Sequence, residues 1–531
     1  MKNKLLILCC CLLISGIRTS MAQSRNVLIL IADDLGVDYM STYGEGTDFA
    51  PTPNINQLAS EGVTFTNAWS NPVCSPTRAT LLTGRYGFRN GVQTVVGSND
   101  SQTGISLDEY TLPKALDDAN SGYAHSCIGK WHLNDASNGD EDNPNLMGFD
   151  HFSGLVSGRF DYFDWEKTTN GTTQSVSNYS TTEFVDDAID WISQQNGPWF
   201  QWVAFMSPHT PFHLPPNNLH RFDGLPGGRR QIRRNPIPYF KASIEAMDTE
   251  IGRLINYLKV SGQYDNTTII FIGDNGTTAQ VVQAPFDPDR AKGTLYEGGV
   301  NVPFIVSGSG VTNPNRTSDA LINVADLFAT SLELAGVNVN NTLPSNVTFD
   351  SKSFLPILQS QNQTIRSWIF SELEGFNTNV DGQTILNTNN YKLIHFNNGS
   401  EELYNLSIDP FENNNLLVGN LSGNAQFNYN SLKNTLNDLL GSMTAQSSEV
   451  DLIKIKVYPN PASSSIDVDL DNELGDIPKT FELMSENGET LRSGVTTSKQ
   501  IRIKTTGLDK GLYYLKITGG RHTITERVLI K

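Results

Sequence analysis

The chain has 531 residues, of which 38% are hydrophobic and 18% are charged, a composition typical of globular proteins. This length accommodates two or three domains, which excludes a minimal binding module. Because 56 acidic residues outnumber 38 basic ones and give a formal net charge of −18, a globally basic surface is excluded, and we expect no nucleic-acid partner.

Residues 1–22 have the pattern of a secretory signal peptide. Two lysines precede an apolar run over residues 5–14, and the Ser-Met-Ala sequence at residues 20–22 offers a cleavage site. The apolar run is too short to span a bilayer as a helix. A lipoprotein anchor on one of the cysteines at positions 9–11 is the alternative, although Leu8 is bulkier than such an anchor requires.

Removal of the signal peptide leaves two cysteines, Cys74 and Cys127. At most one disulfide can form between them, which excludes a disulfide-stabilised scaffold. The two thiols either pair with each other in the oxidising compartment, or one of them has a chemical role.

The first 300 residues alternate between strand-like runs and helical segments. The runs are continuously apolar, which indicates strands buried on both faces and therefore a mainly parallel sheet sandwiched by helices. The predicted strands cover residues 26–32, 125–128, 200–205, 267–272 and 303–306, and the predicted helices cover residues 52–62, 112–119, 181–194 and 238–260. This pattern predicts an α/β domain over residues 23–365.

The rest of the chain has a different pattern. Short strands at 368–372, 391–396 and 402–406, followed by a helix at 424–442, predict a smaller α+β subdomain over residues 366–441. Residues 442–451 are predicted to form a linker. Residues 452–531 contain short, turn-punctuated and partly alternating runs, which predict a small β-sandwich.

Oxygen-bearing side chains follow two of the predicted strands. Asp33 and Asp34 come directly after the first strand, and Asp274 and Asn275 follow another after a single glycine. Because ligands of open α/β sheets bind beyond the carboxyl ends of the strands, we expect these pairs to converge. Carboxylate and amide oxygens suit Ca²⁺ or Mg²⁺ better than zinc, although such sequences also occur in ordinary turns.

A rarer motif lies at residues 74–84, where Cys-x-Pro-x-Arg is followed by Leu81, Leu82, Thr83 and Gly84. This motif resembles the signature of the type I, formylglycine-dependent sulfatases of the alkaline-phosphatase superfamily. The resemblance extends over residues 25–417 and includes the motifs at 129–132, 207–209, 274–276, 292–293 and 296–299. The chain departs from the family pattern at His125, where Ser or Thr is usual, and at Asn134, where Gly is usual.

The resemblance implies a modified nucleophile and a bound metal. It implies that Cys74 is converted to Cα-formylglycine (3-oxoalanine) by a formylglycine-generating enzyme, and that Arg78 lies beside it. A Cys74–Cys127 disulfide would be incompatible with this interpretation. The implied ligands of one Ca²⁺ are the modified Cys74 together with Asp33, Asp34, Asp274 and Asn275, a set that could also hold Mg²⁺.

The implied reaction has two steps. One hydroxyl of the hydrated aldehyde attacks sulfur and displaces the alcohol, leaving a covalent sulfo-enzyme; the second hydroxyl then loses its proton, and C–O cleavage expels sulfate. His132 is the candidate base for the second step, and His209 is the candidate acid for the leaving oxygen. Lys130 and Lys292 are expected to stabilise charge on the sulfuryl group.

A basic segment is the main candidate for substrate binding. Residues 229–234 contain four arginines, and arginine binds carboxylate and sulfate groups in a bidentate manner. The expected substrate-binding residues are His213, Arg229, Arg230 and Arg233. A solvated basic loop is the alternative. Aromatic residues at 158–165 form a second candidate, for which packing within a lid is the alternative.

The last segment also carries a resemblance. The Val-Tyr-Pro-Asn-Pro sequence at 457–461 and the Gly-Leu-Asp-Lys-Gly sequence at 507–511 resemble the C-terminal sorting domain of type IX secretion in Bacteroidota. This implies secretion or display at the cell surface, with the periplasm as a transit compartment and the type IX machinery as a partner. A carbohydrate-binding or spacer domain is the alternative.

Together these features predict a secreted sulfatase that acts on sulfated polysaccharides or oligosaccharides, including algal polymers such as ulvan or carrageenan. The choice of algal polymers depends on ecological analogy, since the sequence does not identify the sugar. A phosphoester hydrolase of the same superfamily and a catalytically inactive sugar-binding protein are the alternatives.

Overall fold

The computed structural model describes residues 25–97, 104–158, 161–377, 379–446, 456–470, 479–485, 490–519 and 522–531. The predicted signal peptide and residues 447–451 of the predicted linker lie outside these ranges. The chain divides into two compact units, Met1–Leu436 and Asn437–Lys531. No helix among the described residues is long and apolar enough to cross a membrane.

A ten-stranded mixed sheet forms the centre of the larger unit. Its strands are β1 (Asn26–Asp33), β2 (Gly62–Trp69), β3 (Ala124–Lys130), β4 (His151–Leu155), β5 (Trp165–Thr169), β6 (Thr172–Val176), β7 (Trp199–Pro208), β8 (Thr267–Gly273), β9 (Phe304–Gly308) and β10 (Arg316–Asn323). Their order is β10-β2-β9-β8-β1-β7-β3-β4-β5-β6. Strands β8, β1, β7, β3 and β4 pair in parallel, which confirms the prediction of a mainly parallel sheet.

Helices cover the sheet and continue into the C-terminal subdomain. The described α-helices are α1 (Pro53–Ser60), α2 (Cys74–Thr83), α3 (Gly87–Asn90), α4 (Leu112–Asp118), α5 (Asn143–Leu146), α6 (Ser180–Ser193), α7 (Arg229–Arg234), α8 (Ile237–Val260), α9 (Glu297–Val300), α10 (Asp326–Leu334), α11 (Val339–Thr342), α12 (Leu355–Leu358) and α13 (Gly423–Gln446). The predicted helices at 52–62, 112–119, 181–194 and 238–260 correspond to α1, α4, α6 and α8.

The sequence of strand β1 is continuously apolar because both faces of the strand are buried. Val27, Ile29 and Ile31 belong to one buried core with residues of α2, α4 and α10, whereas the alternate positions 28, 30 and 32 belong to a second core with residues of α1, α6 and α8. Successive strand residues point to opposite faces of the sheet, so both sets are buried. Each large apolar side chain buried in this way contributes roughly 1.5–3 kcal/mol.

The parallel pairing brings the site residues together. Strands β8, β1, β7 and β3 are neighbours, and their carboxyl ends lie at the same edge of the sheet. Asp33 ends β1, Lys130 ends β3, and Pro208 and Gly273 end β7 and β8. The chemistry-bearing residues that follow these strands therefore meet at one edge.

A four-stranded antiparallel sheet follows. It consists of β11 (Trp368–Leu373), β12 (Gly382–Asn387), β13 (Tyr391–Phe396) and β14 (Glu401–Asn405), in chain order. Strand β12 was absent from the sequence prediction. Helix α13 continues to Gln446, so residues 442–446 are helical where a linker was expected.

The smaller unit contains two antiparallel sheets. Strands β15 (Lys456–Tyr458), β16 (Ser465–Asp469) and β19 (Gln500–Lys504) form one sheet, and β17 (Lys479–Ser485), β18 (Thr490–Thr496), β20 (Gly511–Gly519) and β21 (His522–Ile530) form the other. Residues of both sheets, including Ile466, Ile503, Leu515 and Val528, share one core. These sheets confirm the predicted β-sandwich.

Candidate active site

The Cys-x-Pro-x-Arg motif forms the start of helix α2. Cys74 is the first helical residue, and Gly84 ends the helix in the left-handed conformation with φ 67°. Positions four apart lie on the same face of a helix, so Arg78 lies one turn beyond Cys74. Both side chains are buried, with Cys74 2% exposed. The motif therefore presents a thiol and a guanidinium group at the edge where the strands end.

Arg78 connects this helix to the ends of two strands. Its Nε and Nη2 atoms donate to Asp274 Oδ2 at 3.2 and 2.7 Å, and Nη1 donates to the Lys130 carbonyl at 2.7 Å. Asp33 Oδ2 lies 3.7 Å from Nη2. A fully buried guanidinium group requires such partners, because an unpaired charge in this position would destabilise the fold by several kcal/mol.

The four acid and amide side chains among the five predicted metal ligands converge. The Asp34 backbone amide donates to Asp274 Oδ1 at 3.1 Å, and Asn275 Nδ2 donates to Asp34 Oδ1 at 2.9 Å. Asp34 has φ 66°, a conformation that costs energy for a residue with a Cβ atom and that turns its side chain toward the cluster. Lys130 Nζ donates to Asp33 Oδ2 at 2.5 Å.

Two buried oxygens in this cluster lack hydrogen-bond donors. Asp33 Oδ1 and Asn275 Oδ1 have no hydrogen-bond partner among the described residues. One oxygen each of Asp33 and Asp274 and the Sγ atom of Cys74 lie within 4.8 Å of one another. Because buried acceptors without donors are costly, these oxygens fit a divalent cation, and a set rich in hard oxygen ligands suits Ca²⁺ or Mg²⁺.

The acids of the cluster differ in their electrostatic environment. Burial raises the pKa of Asp274, and the neighbouring carboxylate of Asp33 raises it further. Burial also opposes ionisation of Asp33, but the positive charges around it, led by Lys130, hold its pKa well below the ordinary range. Asp274 is therefore the acid of the cluster that a bound cation would keep ionised.

His132 lies directly against Cys74. Its Nδ1 atom is 3.3 Å from Sγ of Cys74, and its carbonyl accepts a hydrogen bond of 2.9 Å from the Ser75 hydroxyl. Burial, together with the charges of Lys130 and Arg78, lowers the pKa of His132 well below its ordinary value. A neutral imidazole can accept a proton, which is the property that the predicted base requires.

Two residues that support His132 were missed by sequence analysis. Ser75 also accepts a hydrogen bond of 3.2 Å from the Val96 amide, which fixes its hydroxyl. Gly158 lies so close to the imidazole that a Cβ atom at this position would be 2.5 Å from His132 Cε1. The sequence signal for Gly158 is weak, because a glycine beside a serine also occurs in ordinary loops.

His209 and Lys292 lie on the more accessible side of the cluster. His209 Nε2 is 3.7 Å from Asp34 Oδ2, and Lys292 Nζ donates to Asp34 Oδ1. Both side chains are partly exposed, at 20% and 18%. Burial lowers the pKa of His209, although Asp34 and Asp33 oppose this shift. These two residues can therefore contact a ligand that approaches from solvent.

A cavity of about 870 Å³ opens beside this side of the site. His213, Arg229 and Arg233 line it, as do Tyr162, Phe163 and Thr210. Three of the four predicted substrate-binding residues are thus together, whereas Arg230 is not among the lining residues. Arg159 and Phe160, part of the second aromatic candidate, lie outside the described residues.

The structure resolves the alternative left open for the two cysteines. Cys74 and Cys127 are both free thiols. Cys127 is fully buried in β3, and burial raises the pKa of its thiol. A structural role therefore explains Cys127, and Cys74 is left unpaired beside the cluster of acids.

Three family models match the chain. The family described as Sulfatase matches residues 25–337, which include all the catalytic and metal-site candidates. The model described as N-sulphoglucosamine sulphohydrolase, C-terminal, matches residues 289–444. The model described as Secretion system C-terminal sorting domain matches residues 456–531.

The chain is also similar to individual sulfatases and to a solved structure. N-acetylgalactosamine-6-sulfatase of Homo sapiens is 31% identical over 370 residues, which cover 63% of this chain and 66% of the human protein. Arylsulfatase G of Rattus norvegicus is 28% identical over 433 residues, which cover 72% of this chain and 77% of the rat protein. The crystal structure of Ps i-CgsB in complex with k-i-k-neocarrahexaose has a TM-score of 0.66 at 24% identity and shares the fold over 80% of this chain and 93% of that chain.

Proposed function

The chain belongs to the sulfatase family, and from this premise we propose that it is a secreted enzyme that hydrolyses sulfate esters of sulfated polysaccharides or their oligosaccharides. The observation that carries the proposal is the position of Cys74. Its Sγ atom lies 3.3 Å from His132 Nδ1 and within 4.8 Å of oxygens of Asp33 and Asp274. A reactive group at residue 74 would therefore have a base and a metal site as direct neighbours.

The proposal includes two groups that the chain would acquire. Asp33, Asp34, Asp274, Asn275 and residue 74 would hold Ca²⁺, since the donor set and its two unpartnered oxygens fit a hard cation. When both groups are present, formylglycine at residue 74 supplies a hydrated aldehyde as the nucleophile, and the cation supplies positive charge beside it.

The remaining residues have separate tasks in this proposal. His132 accepts the proton whose loss accompanies the release of sulfate, because its imidazole is neutral and contacts residue 74. Lys130 and Lys292 contribute positive charge where the anionic sulfuryl group would bind. His209 donates a proton to the leaving oxygen, and the negative charge of the substrate would favour its protonated form.

The substrate and the destination are inferred from different parts of the chain. The sequence relatives include N-acetylgalactosamine-6-sulfatase, and the similar crystal structure contains a neocarrahexaose. We therefore propose a sulfated carbohydrate as the substrate, with algal polymers such as ulvan or carrageenan as candidates. The match over residues 456–531 supports export through type IX secretion, to the medium or the cell surface.

Mass spectrometry tests the nucleophile first. Protein expressed with a formylglycine-generating enzyme is expected to yield a peptide around residue 74 about 18 Da lighter than the cysteine form, as CH₂SH becomes CHO. Cys127, which is fully buried in β3, serves as the internal control and is expected to remain a thiol. An unmodified Cys74 from a competent host would contradict the proposed nucleophile.

Matched esters then test the reaction. Rates on a sulfate monoester and on the phosphate monoester of the same alcohol separate the proposed sulfatase from a phosphoester hydrolase. We expect the sulfate ester to be the better substrate. Binding of sulfated oligosaccharides without release of sulfate, by protein that carries formylglycine, would instead support a sugar-binding protein.

A further inference from the structure

We propose that the cavity beside His209 is a subsite for a second anionic group, a carboxylate or a sulfate ester, on the sugar unit next to the one that loses its sulfate. This inference rests on the proposed function and adds a substrate class to it. It applies to substrates that carry at least two negative charges on adjacent sugar units. Three features of the cavity support it: an arginine pair, aromatic lining residues and its position next to His209.

The arginine pair belongs to helix α7. Arg229 and Arg233 are four residues apart and therefore share one face of the helix, and both line the cavity. Ile232, which lies on the same face and is 8% exposed, also lines the cavity. Arg230 and Arg234 form an equivalent pair on a different face and do not line the cavity.

The arginine pair has no internal counter-charge. Neither Arg229 nor Arg233 has a carboxylate partner among the described residues, whereas the exposed Arg221 and Arg253 are paired with Glu245 and Asp186. Arg230 and Arg234 likewise have no carboxylate partner among the described residues, so it is their position at the cavity that distinguishes Arg229 and Arg233. Two unpaired guanidinium groups at a cavity form a binding surface for carboxylate or sulfate oxygens.

One acid also lines the cavity, and its contacts limit its effect. Asp161 Oδ1 accepts a hydrogen bond of 2.9 Å from the Phe163 amide, so its carboxylate is held by its own loop. The two arginines together with Asp161 leave the charged lining with a positive balance. The cavity therefore still favours an anion over a neutral group.

Aromatic side chains also line the cavity. The rings of Tyr162 and His213 stack with their centroids 3.6 Å apart, and the Phe163 ring lies 5.9 Å from the His213 ring. The Tyr179 hydroxyl and His213 Nε2 are 3.0 Å apart, which fixes the imidazole. Burial lowers the pKa of His213 to about 4, so at neutral pH this ring is an uncharged part of the lining. Tyr162 is 1% exposed and supports His213 from behind, whereas Phe163 is 38% exposed and offers the aromatic surface on which a sugar ring can pack.

Two residues that line the cavity, Tyr162 and Thr210, adjoin His209 of the reaction centre. The Tyr162 hydroxyl donates to the carbonyl oxygens of His209, at 2.7 Å, and Met206, at 2.8 Å. Thr210, the next residue along the chain, lines the cavity. In the proposed reaction His209 serves the oxygen of the departing sugar, so a cavity next to His209 is placed to receive the adjoining sugar unit. Its volume of about 870 Å³ lies in the range typical of ligand pockets.

The test uses single variants of one helix and three oligosaccharides. The oligosaccharides carry the same scissile sulfate ester, next to a neutral sugar, a uronate or a second sulfated sugar. We expect Arg229→Ala and Arg233→Ala each to raise KM for the two anionic substrates by about tenfold, with a smaller change for the neutral one. The larger effect identifies whether the subsite prefers a carboxylate or a sulfate ester.

Arg234→Ala is the matched control, since it removes the same charge from an exposed position of the same helix that does not line the cavity. We expect its KM values to stay within about twofold of wild type. Equal effects of Arg233→Ala and Arg234→Ala, or equal effects on all three oligosaccharides, would overturn the inference, because they would indicate general electrostatic attraction.

Two further measurements separate this inference from the proposed function. Hydrolysis of a small aryl sulfate by the wild-type enzyme reports on the reaction centre alone. Calorimetric binding of the three oligosaccharides to the Cys74→Ala protein reports on the cavity without turnover. Tighter binding of the two anionic oligosaccharides than of the neutral one supports the subsite, even if no sulfate is released, provided that this difference is lost when Arg233→Ala is added to Cys74→Ala. If Cys74→Ala binds all three oligosaccharides with equal affinity while the wild-type enzyme hydrolyses the aryl sulfate, the subsite is rejected and the proposed function is retained.

Discussion

The Nδ1 atom of His132 lies 3.3 Å from the Sγ atom of Cys74, and no solvent separates the two buried side chains at this distance. We predict that His132→Ala still allows the alcohol to leave once, but impairs the release of sulfate. The expected result is a burst of about one equivalent of alcohol per active site, followed by a steady state about 10²–10⁴-fold slower than wild type.

Rapid-quench measurement of both products checks this prediction. The peptide around residue 74 is analysed in the same sample, because loss of formylglycine would also abolish turnover. A variant that carries formylglycine, shows no burst and loses both steps equally would assign the proton transfer to another residue.

Calcium should stabilise the fold through Asp33 and its neighbours. A ligand that binds only the folded state at 100 times its Kd adds about 2.7 kcal/mol to the free energy of unfolding. We expect Ca²⁺ to raise the melting temperature of the wild-type protein and Asp33→Asn to lose most of this increase. Differential scanning calorimetry with Ca²⁺, Mg²⁺ or chelator measures both proteins.

The chelated proteins provide the baseline for this comparison. Asp33→Asn also removes the ion pair with Lys130, so its stability without metal is expected to be lower than that of wild type. The prediction concerns only the increase that Ca²⁺ adds. An equal increase in both proteins would show that the cation binds elsewhere.

Gly158 should be sensitive to the addition of a single methyl group. A Cβ atom there would lie 2.5 Å from His132 Cε1, so the imidazole or the loop must move. We expect Gly158→Ala to lower kcat at least about tenfold, because small displacements of a catalytic group have large effects on rate. Gly197→Ala is the control, since the nearest heavy atom to a Cβ there is 4.0 Å away. Similar kinetics for the two variants would contradict the predicted contact.

Some features of the site follow from the sequence, and others depend on contacts between distant residues. The convergence of Asp33, Asp34, Asp274 and Asn275 follows from parallel strands, whose carboxyl ends meet at one edge of the sheet. Gly158 was missed because its role depends on the approach of the distant His132, which leaves no local pattern.

Two other differences between the sequence prediction and the structure, at Arg230 and at strand β9, have separate physical causes. Arg230 belongs to the run of arginines from which the substrate site was predicted, but it lies on a different face of α7 from Arg229 and Arg233 and does not line the cavity. The run of arginines alone does not show which face of the helix meets the cavity. Strand β9 runs antiparallel to β2 and β8, although its run of apolar residues is the same as that of a parallel strand. Buried strands of either direction have this pattern, so the sequence alone cannot give the direction.

Asp248 should make stability depend on pH. Its carboxylate accepts hydrogen bonds from the amides of Asn54, at 3.1 Å, and Ile55, at 2.8 Å, and thus binds the start of helix α1. Burial nevertheless raises its pKa from 3.8 to about 6. A carboxyl group with a raised pKa in the folded state binds more protons there than in the unfolded state, so its contribution to stability falls as pH rises from about 4 to about 7.

The variant Asp248→Asn removes this titration. It also weakens the hydrogen bonds to the helix start at every pH, so we expect lower stability than wild type at pH 4. Between pH 4 and pH 7 the difference in unfolding free energy should shift in favour of the variant by about 2–3 kcal/mol, and it should remain constant above about pH 7. Urea denaturation of both proteins from pH 4 to pH 8 measures this difference. Parallel pH profiles would show that the Asp248 carboxyl group has the same pKa in the folded and unfolded states.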